Sequence, residues 1–409
     1  MDATQFSGQP RALISARDLL HNLKIIRRAI PPQTRICAVI KADAYGHVAS
    51  LVMQALHATS DSPATPLVDA LAVASIDEAI ALPPTDLPVL IFRGVENAYL
   101  AQQRDRLEET IRRGCILTLS SASSAQDLAR IAMALGQRAS VQIMIDTGIT
   151  RGGVHLPDLD HVLNTVLAQP SLNLTGLCSH FACADTPDDP FSKVQLTRFL
   201  AALASDAVGD LLRAQTMIHH MANSAAIFFF PQSHLNMVRP GISLYGIDPT
   251  GRPCIDRHLR PVMKWTAPLI DVREIAKGVG VGYGQTWLAD KPTRIGLVPV
   301  GYADGYLRCF SNRATMLVHD KPTPVVGRVS MDLTTIDLSN ASQAQVGDEV
   351  TILDNDPLSP ASAYELAKLA DTIPYEILCG VGARVRRVLT DTVPDHVDGD
   401  EKQEPNSCA

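Results

Sequence analysis

A chain of 409 residues is longer than one ordinary domain, so its length predicts two domains. The net charge of −7 at pH 7 gives no reason to expect nucleic acid or an acidic membrane surface as a partner, and small metabolites are the better candidates. No apolar run of about 18 residues exists that could span a bilayer, and residues 1–10 lack a targeting pattern.

The eight cysteines include no CxxC pair, and Cys37, Cys115 and Cys178 lie within apolar segments. We therefore expect buried reduced thiols instead of a disulfide framework or a zinc site, and no metal is predicted. Reduced thiols suit a cytoplasmic location, which is the predicted one.

The first predicted helix begins after Ser15, because Ser15 and Asp18 can together cap a helix start. Pro31 and Pro32 end it. Its predicted buried face consists of apolar residues spaced by 4, 3 and 4 positions, namely Leu19, Leu23, Ile26 and Ile30.

The next segment, residues 36–48 (ICAVIKADAYGHV), has the length and composition of a strand buried on both faces. The apolar part of this segment ends at Lys41, and a Tyr-Gly turn follows. An ammonium at the end of a buried strand loses hydration, which favours the neutral nucleophilic amine and suits it to Schiff-base chemistry. A lysine that extends from the strand end into solvent is an alternative that this segment alone leaves open.

Seven further short apolar runs alternate with helix-like patterns: residues 70–74, 88–92, 115–119, 141–145, 174–179, 216–219 and 236–238. Eight strand–helix units predict an α/β fold with a (β/α)8 TIM-type barrel. In such a barrel the chemistry lies at the carboxyl ends of the strands. Polar residues do follow the runs, among them Lys41, Arg151, His180, Asn223, Ser224 and Arg239.

Residues 246–253 are rich in turn formers and mark the predicted domain boundary. Beyond it, runs at 294–300, 315–319, 323–329 and 350–353 predict a small β-barrel or sandwich. Ser359 and Pro360 predict the start of one helix that ends near Asp371. The predicted division is a barrel domain over 1–248, a β-rich domain over 249–389 and a disordered acidic tail over 390–409.

Residues 38–47 (AVIKADAYGH) resemble the cofactor-lysine motif of the alanine racemases, and further matches cover roughly residues 10–389. Members of this family are pyridoxal 5′-phosphate enzymes that pair a (β/α)8 barrel with a β-rich domain. The resemblance implies that Lys41 binds the cofactor as a Schiff base. It also implies a set of further cofactor-binding residues, namely Tyr45, His180, Asn223, Ser224, Arg239, Gly241, Ile242 and Tyr375.

Within that set, Arg239 matches the arginine that faces the pyridine nitrogen of the cofactor. A guanidinium can only donate hydrogen bonds, so the ring nitrogen must stay unprotonated. This weakens the cofactor as an electron sink and favours prompt reprotonation of the substrate over side reactions.

The resemblance implies a two-base racemisation in which Lys41 serves one face of the substrate and Tyr283 serves the other. His180 resembles the histidine that links this tyrosine to Arg239. In the family the tyrosine comes from the second domain of a partner subunit, which implies a homodimer with shared active sites.

Substrate binding is also implied by the resemblance. Arg151 matches the arginine that binds the substrate carboxylate, and the backbone N–H of Met331 matches a second carboxylate ligand. Tyr302 and Tyr375 resemble the tyrosines that narrow the entrance and favour small side chains.

Met144 is a departure from the family pattern, because many members carry a carbamylated lysine seven positions before the carboxylate-binding arginine. A thioether cannot carry that negative charge. The orientation of Arg151 must then come from another group, a water or a bound anion.

The expected activity is interconversion of L-alanine and D-alanine, with D-alanine supplied for peptidoglycan or used in catabolism. Because of Met144, a racemase for serine or for a broader set of amino acids remains an alternative. From another class, a non-catalytic pyridoxal-phosphate-binding regulatory protein remains an alternative. Tyr283 in a β-rich second domain argues against it.

Overall fold

A computed structural model of the chain describes residues 9–57, 67–94, 103–205, 208–209 and 217–391. Residues 1–8 and residues 392–409 of the expected tail lie outside the described residues. Every cysteine in the described ranges is a free thiol, and Cys37, Cys115 and Cys178 are buried. Among the described helices, none combines the length and the apolarity needed to cross a bilayer.

The chain enters through strand β1 (Arg11–Ser15) and continues into helix α1 (Ala16–Arg28). The predicted cap is confirmed, since the Ser15 side chain accepts a hydrogen bond from the backbone N–H of Asp18 at 3.1 Å. The predicted apolar face is buried, including Ile30 just beyond the end of the helix.

Eight parallel strands form a nearly closed barrel, which confirms the predicted fold class. Each predicted apolar run overlaps one of these strands. The strands, with the short β7 that pairs only with β6, are Arg35–Val39 (β2), Ala70–Val73 (β3), Val89–Ile91 (β4), Ile116–Leu119 (β5), Ala139–Asp146 (β6), Val154–His155 (β7), Leu172–Cys178 (β8), Ile218–His220 (β9) and Met237–Val238 (β10). They pair in the order β10-β2-β3-β4-β5-β6-β8-β9, and the backbone N–H of Asn236 donates to the carbonyl of His219 at 3.2 Å where the two ends meet.

Helices alternate with these strands and cover the barrel with their apolar sides, so strands and helices share one continuous core. The helices are Ala49–His57 (α2), Ile76–Ala81 (α3), Arg104–Arg112 (α4), Ala122–Ala134 (α5), Leu159–Leu167 (α6), Phe191–Leu203 (α7) and Ser224–Phe229 (α8).

The β-rich part of the chain contains a six-stranded sheet, a three-stranded sheet and a hairpin. Its strands are Met263–Pro268 (β11), Asp271–Ile275 (β12), Gly280–Val281 (β13), Trp287–Leu288 (β14), Thr293–Val298 (β15), Thr315–Val318 (β16), Lys321–Pro324 (β17), Thr334–Asp337 (β18), Glu349–Leu353 (β19) and Arg386–Thr390 (β20). The six-stranded sheet has the order β17-β16-β19-β11-β1-β20, so the N-terminal strand lies between the first and the last strand of the β-rich part. The domain limits of 1–248 and 249–389 stay a prediction.

The predicted helix start at Ser359 and Pro360 is wrong. Helix α9 is Ala363–Ala370, and its cap is Ser362, whose side chain accepts from the backbone N–H of Glu365 at 3.3 Å. Ser359 instead forms a preceding turn, in which its carbonyl accepts from the N–H of Ser362 at 3.0 Å. The predicted end is right, because Asp371 closes the helix in the left-handed conformation. A further helix, Pro374–Gly380 (α10), was not predicted.

Candidate active site

Lys41 lies directly beyond β2 at the carboxyl end of the barrel and opens a turn that ends at Tyr45. The four residues after Lys41 are left-handed, with φ of 52°, 49°, 57° and 54°, and Gly46 follows with φ of 81°. A left-handed helical conformation costs about 1–2 kcal/mol per L-residue, so surrounding contacts must hold this turn in place.

Three contacts fix the backbone of this lysine turn (residues 41–46) from different elements. The Glu78 carboxylate accepts from the N–H of Ala42 at 3.0 Å, and the Asp43 carboxylate accepts from the N–H of Ala49 at 2.8 Å. Arg387, on β20, donates through Nε to the carbonyl of Gly46 at 2.9 Å.

The turn also packs tightly against α10, because a side chain at Gly46 would place Cβ 2.3 Å from the carbonyl oxygen of Leu378. The β-rich part of the chain therefore helps to position Lys41.

A cavity of about 350 Å³ opens at this end of the barrel. It brings together the sequence-predicted Lys41, Arg151, His180 and Arg239, and Met144 also lines it. The sequence analysis missed four of its other lining residues, Phe92, Arg93, Thr118 and Ser120. Burial lowers the pKa of Lys41, the positive charge of Arg151 lowers it further, and Glu78 opposes them. The amine therefore loses its proton more readily than that of an exposed lysine.

Arg239 is 5% exposed and lies at the floor of the site. Its Nη2 donates to the carbonyl of Ser179 at 2.8 Å and to the carbonyl of Met221 at 3.2 Å. Nη2 also lies 3.3 Å from Nδ1 of His180, and Nη1 contacts Nδ1 of His220. Because a guanidinium only donates, both imidazoles accept through Nδ1 and carry their proton on Nε2. Burial, followed by the charge of Arg239, lowers the pKa of each histidine well below the ordinary value.

A chain of hydrogen bonds extends from Arg239 across the barrel interior. The Nε2–H of His220 donates to Oε1 of Gln142 at 2.7 Å, and Gln142 Nε2 donates to Oγ1 of Thr118 at 3.2 Å. Thr118 in turn donates to the carbonyl of Ile91 at 2.6 Å. The direction of every bond follows from the guanidinium at one end and the carbonyl at the other. Sequence reasoning missed His220 and Gln142, although a glutamine inside a buried strand was a usable signal.

The predicted cofactor-binding residues Tyr45, Ser224 and Gly241 come together next to the lysine turn. Ser224 Oγ accepts from the N–H of Gly241 at 2.9 Å and from the hydroxyl of Ser243 at 3.0 Å. A Cβ at Gly241 would lie 2.4 Å from the hydroxyl of Tyr45, so only glycine leaves room there. The ring of Tyr375 lies 6.2 Å from that of Tyr45. Hydroxyls beside a glycine backbone form a small polar cradle that fits an anion.

Two other predicted cofactor residues flank this cradle. Asn223 caps helix α8 by accepting from the N–H of Ala226 at 3.0 Å, which fixes Ser224 at the first turn. Ile242 opens the single turn Ile242–Tyr245 directly after Gly241.

Three predicted site residues lie on the surface of the β-rich part and do not line the cavity of the same chain. Their exposed fractions are 71% for Tyr283, 42% for Tyr302 and 53% for Met331. Tyr302 and Met331 lie on adjoining segments, since the N–H of Ala303 donates to the carbonyl of Met331 at 3.0 Å. Exposed aromatic and apolar side chains on one domain are typical of a surface that another chain covers.

Met144, seven positions before Arg151, lines the cavity. Within the described ranges, Arg151 is exposed and makes neither a hydrogen bond nor an ion pair. Among the described residues of this chain, no carboxylate therefore pairs with Arg151.

His47 is a fully buried histidine directly after the lysine turn. Its Nδ1 lies 3.0 Å from the carbonyl of Ala44 and 3.0 Å from that of Tyr45, so Nδ1 carries the proton. The ring packs on Tyr245 with centroids 4.5 Å apart. Burial lowers the pKa of His47 to about 4, despite the two carbonyls that favour the charged form.

Family models match both parts of the chain: alanine racemase, N-terminal domain, over residues 14–249, and alanine racemase, C-terminal domain, over residues 262–389. The alanine racemase of Syntrophobacter fumaroxidans is 37% identical over 366 residues, covering 89% of this chain and 93% of that protein. The solved alanine racemase of Clostridium difficile 630 superposes with a TM-score of 0.84 at 32% identity, covering 94% of this chain and 97% of that one. A structure of the Bartonella henselae alanine racemase with covalently bound pyridoxal phosphate superposes with a TM-score of 0.78 at 27% identity, covering 93% and 99%.

Replacing His47 should flatten the pH dependence of stability. The unfolded histidine binds a proton near pH 6.5 while the folded one stays neutral, so the unfolding free energy falls as the pH drops from about 6.5 to about 4. We expect His47→Phe to lower stability at pH 8 but to lose less of it on acidification, by about 1–3 kcal/mol. Urea unfolding at pH 8, 6 and 5 measures both slopes.

The exposed His161→Phe is the matched control and should keep the wild-type slope. Parallel slopes for wild type and His47→Phe would contradict the assignment.

Proposed function

The chain belongs to the alanine racemase family of pyridoxal-phosphate-dependent isomerases, and on that premise we propose that it interconverts L-alanine and D-alanine by a two-base mechanism. The observation that carries the proposal is the cavity at the barrel mouth, where Lys41, Arg151 and Arg239 meet. An amine, a carboxylate-binding cation and a donor for a ring nitrogen are the groups that this reaction needs.

The residues around Lys41 fit the cofactor. Lys41 would hold its aldehyde carbon, and the cradle of Tyr45, Ser224 and Gly241 would hold its phosphate, with Tyr375 completing one side. When bound, pyridoxal phosphate withdraws electrons from the substrate Cα and so acidifies the Cα proton. Every other group in the reaction belongs to the protein.

Arg239 would donate to the ring nitrogen and keep it unprotonated. The hydrogen bonds of Arg239 support this role. His180 and His220 both accept from Arg239 through Nδ1, so neither can donate a proton to the ring nitrogen through that atom. With the ring nitrogen held unprotonated by Arg239, a proton removed on one face of the substrate would have to be replaced promptly on the other.

Lys41 would move a proton on one face of the substrate. The lowered pKa of Lys41, caused by burial and then by Arg151, supports a neutral amine that accepts the Cα proton. Tyr283 would move a proton on the opposite face, with its hydroxyl linked through His180 to Arg239.

A homodimer would complete the site. Tyr283, Tyr302 and Met331 are exposed on the β-rich part and lie apart from the cavity of their own chain. A second copy could place its Tyr283 opposite Lys41, its Met331 N–H beside Arg151 and its Tyr302 at the entrance. The substrate carboxylate would then bind Arg151 as a bidentate pair.

Met144 bears on the choice between the two substrate alternatives, alanine and a broader set that includes serine. Since Arg151 has no ion-pair partner among the described residues, its guanidinium is free to shift, which favours a broader choice that includes serine. An entrance narrowed by Tyr375 and by Tyr302 of a second copy would favour alanine. Supply of D-alanine for peptidoglycan is the proposed role, and D-alanine catabolism is the alternative.

Cα proton exchange in D₂O should be fast with alanine and at least about tenfold slower with serine, because an entrance narrowed by Tyr375 and by Tyr302 of a second copy would exclude larger side chains. NMR of separate L-alanine, D-alanine, L-serine and L-lysine samples, with chirality followed in parallel, measures this. Faster exchange with serine would assign the broader racemase, and cofactor binding without exchange would assign the regulatory class.

Lys41→Ala should remove the lysine-linked absorbance of the cofactor and reduce racemisation by at least about a thousandfold, since one proton-transfer group and the covalent anchor are both lost. Borohydride treatment followed by peptide mass analysis locates the attachment. The exposed Lys24→Ala serves as the control. Wild-type absorbance in Lys41→Ala would exclude this lysine as the anchor.

Tyr283→Phe should slow Cα proton exchange from one alanine enantiomer more than from the other, by about a hundredfold or more, because the hydroxyl serves only one face. Cofactor binding should stay intact. Measuring exchange separately from L-alanine and D-alanine tests this. Equal, near-normal exchange from both would defeat the two-base assignment.

A further inference from the structure

Glu78 is a half-buried acid at the rim of the barrel that the proposed reaction does not use. It lies on α3, and its two carboxylate oxygens bind two different backbone N–H groups. Oε1 accepts from Ala42 at 3.0 Å, and Oε2 accepts from Ala74 at 2.6 Å. These N–H groups follow the ends of β2 and β3, which are neighbours in the barrel. One carboxylate thus joins the ends of two adjacent strands.

The bond to Ala42 holds the first left-handed residue after Lys41, which has φ of 52°. The left-handed conformation is intrinsically unfavourable for an alanine. A hydrogen-bond acceptor from outside the turn is therefore needed where the chain leaves the strand. Ser75 caps α3 by accepting from the N–H of Glu78 at 3.3 Å, which fixes the position of the carboxylate. The lysine turn is therefore anchored to a capped helix.

Glu78 also differs from the rest of the site in its charge. Among the described residues that line the cavity, Lys41, Arg93, Arg151 and Arg239 are basic and none is acidic. Burial and the charge of Arg151 lower the pKa of Lys41, and Glu78 is the one carboxylate among the groups that counter them. The two N–H donors fix this half-buried carboxylate at the rim of the barrel.

We propose that Glu78 is a positioning residue for Lys41, which ties the lysine turn to the end of β3 and places a carboxylate at that edge of the barrel. The proposal rests on the proposed role of Lys41 and deepens it. An ammonium at Lys41 returns a proton to the substrate, whereas the neutral amine removes one, so both forms are required at working pH.

The test uses the full chain freed of cofactor, so it reports on Lys41 without any turnover. Acetic anhydride reacts with neutral amines, and mass spectrometry of the peptide that contains Lys41 gives its rate from pH 6 to pH 10. In Glu78→Gln we expect acylation about threefold faster than wild type on the rising part of the profile, because the carboxylate charge is lost. At high pH the rates should converge.

Hydrogen exchange tests the link between the lysine turn and the end of β3. An amide side chain accepts through one oxygen only, so one of the Ala42 and Ala74 N–H groups loses its partner in Glu78→Gln. Exchange in the peptide over residues 36–48, or in that over 70–78, should speed up about tenfold. The neighbouring Asp77→Asn is the matched control, since Asp77 is exposed and pairs with Arg106. It should leave both measurements at wild-type values.

A second variant covers the case in which Glu78→Gln fails to fold. Glu78→Asp keeps the charge but is one methylene too short to reach both strand ends, so it should keep a near-wild-type acylation profile and still exchange faster. Wild-type acylation and exchange in both variants would overturn the proposal. Because labelling needs no cofactor, this outcome is distinct from failure of Lys41→Ala to lose the cofactor absorbance, which would overturn the proposed function instead.

Discussion

The buried guanidinium of Arg239 is the constraint on which the rest of the site depends. A permanent cation in the barrel interior needs acceptors for its N–H groups, and none of the acceptors around it in the described ranges is a carboxylate. The acceptors of these hydrogen bonds are two neutral imidazoles and two backbone carbonyls. The tautomers of His180 and His220 follow, and the amide orientation of Gln142 follows from His220.

The same constraint explains why acids are kept away from the floor of the site. A carboxylate beside Arg239 would form a tight pair and compete with any weaker acceptor presented to it. The acid that does act on the site, Glu78, contacts backbone at the rim. Negative charge is thus present at the rim of the barrel, while the acceptors that contact Arg239 at the floor are neutral.

Local patterns were enough to predict the barrel. Short stretches of sequence predict the eight strands, the Ser15 cap and the end of α9 at Asp371. Each prediction rests on a local pattern, either the alternation of strand and helix segments or the residues at a helix end. The start of α9 was wrong for a similar reason: Ser359 with Pro360 and Ser362 with Glu365 are both acceptable start signals, and only packing selects between them.

The contacts around the site were less predictable, because they join residues far apart in the chain. Gln142 meets His220 across 78 positions, and Arg387 meets Gly46 across 341. Neither pair has a local signature, since a glutamine in a strand or an arginine near the end of the β-rich part has many possible partners. Resemblance to a family supplied Tyr283 and Met331, and their exposure in one chain is the feature that no local pattern contains.

The position of β1 affects the order in which the chain can fold. Arg11–Ser15 pairs parallel with Arg386–Thr390, so these two segments flank the whole barrel in the sequence. The six-stranded sheet therefore cannot close before β20 has been synthesised, and pairing of such distant segments is slow. Arg387, which holds Gly46, arrives with that strand. A nascent chain that has not yet reached β20 can thus form barrel strands but lacks one of the contacts that hold the lysine turn.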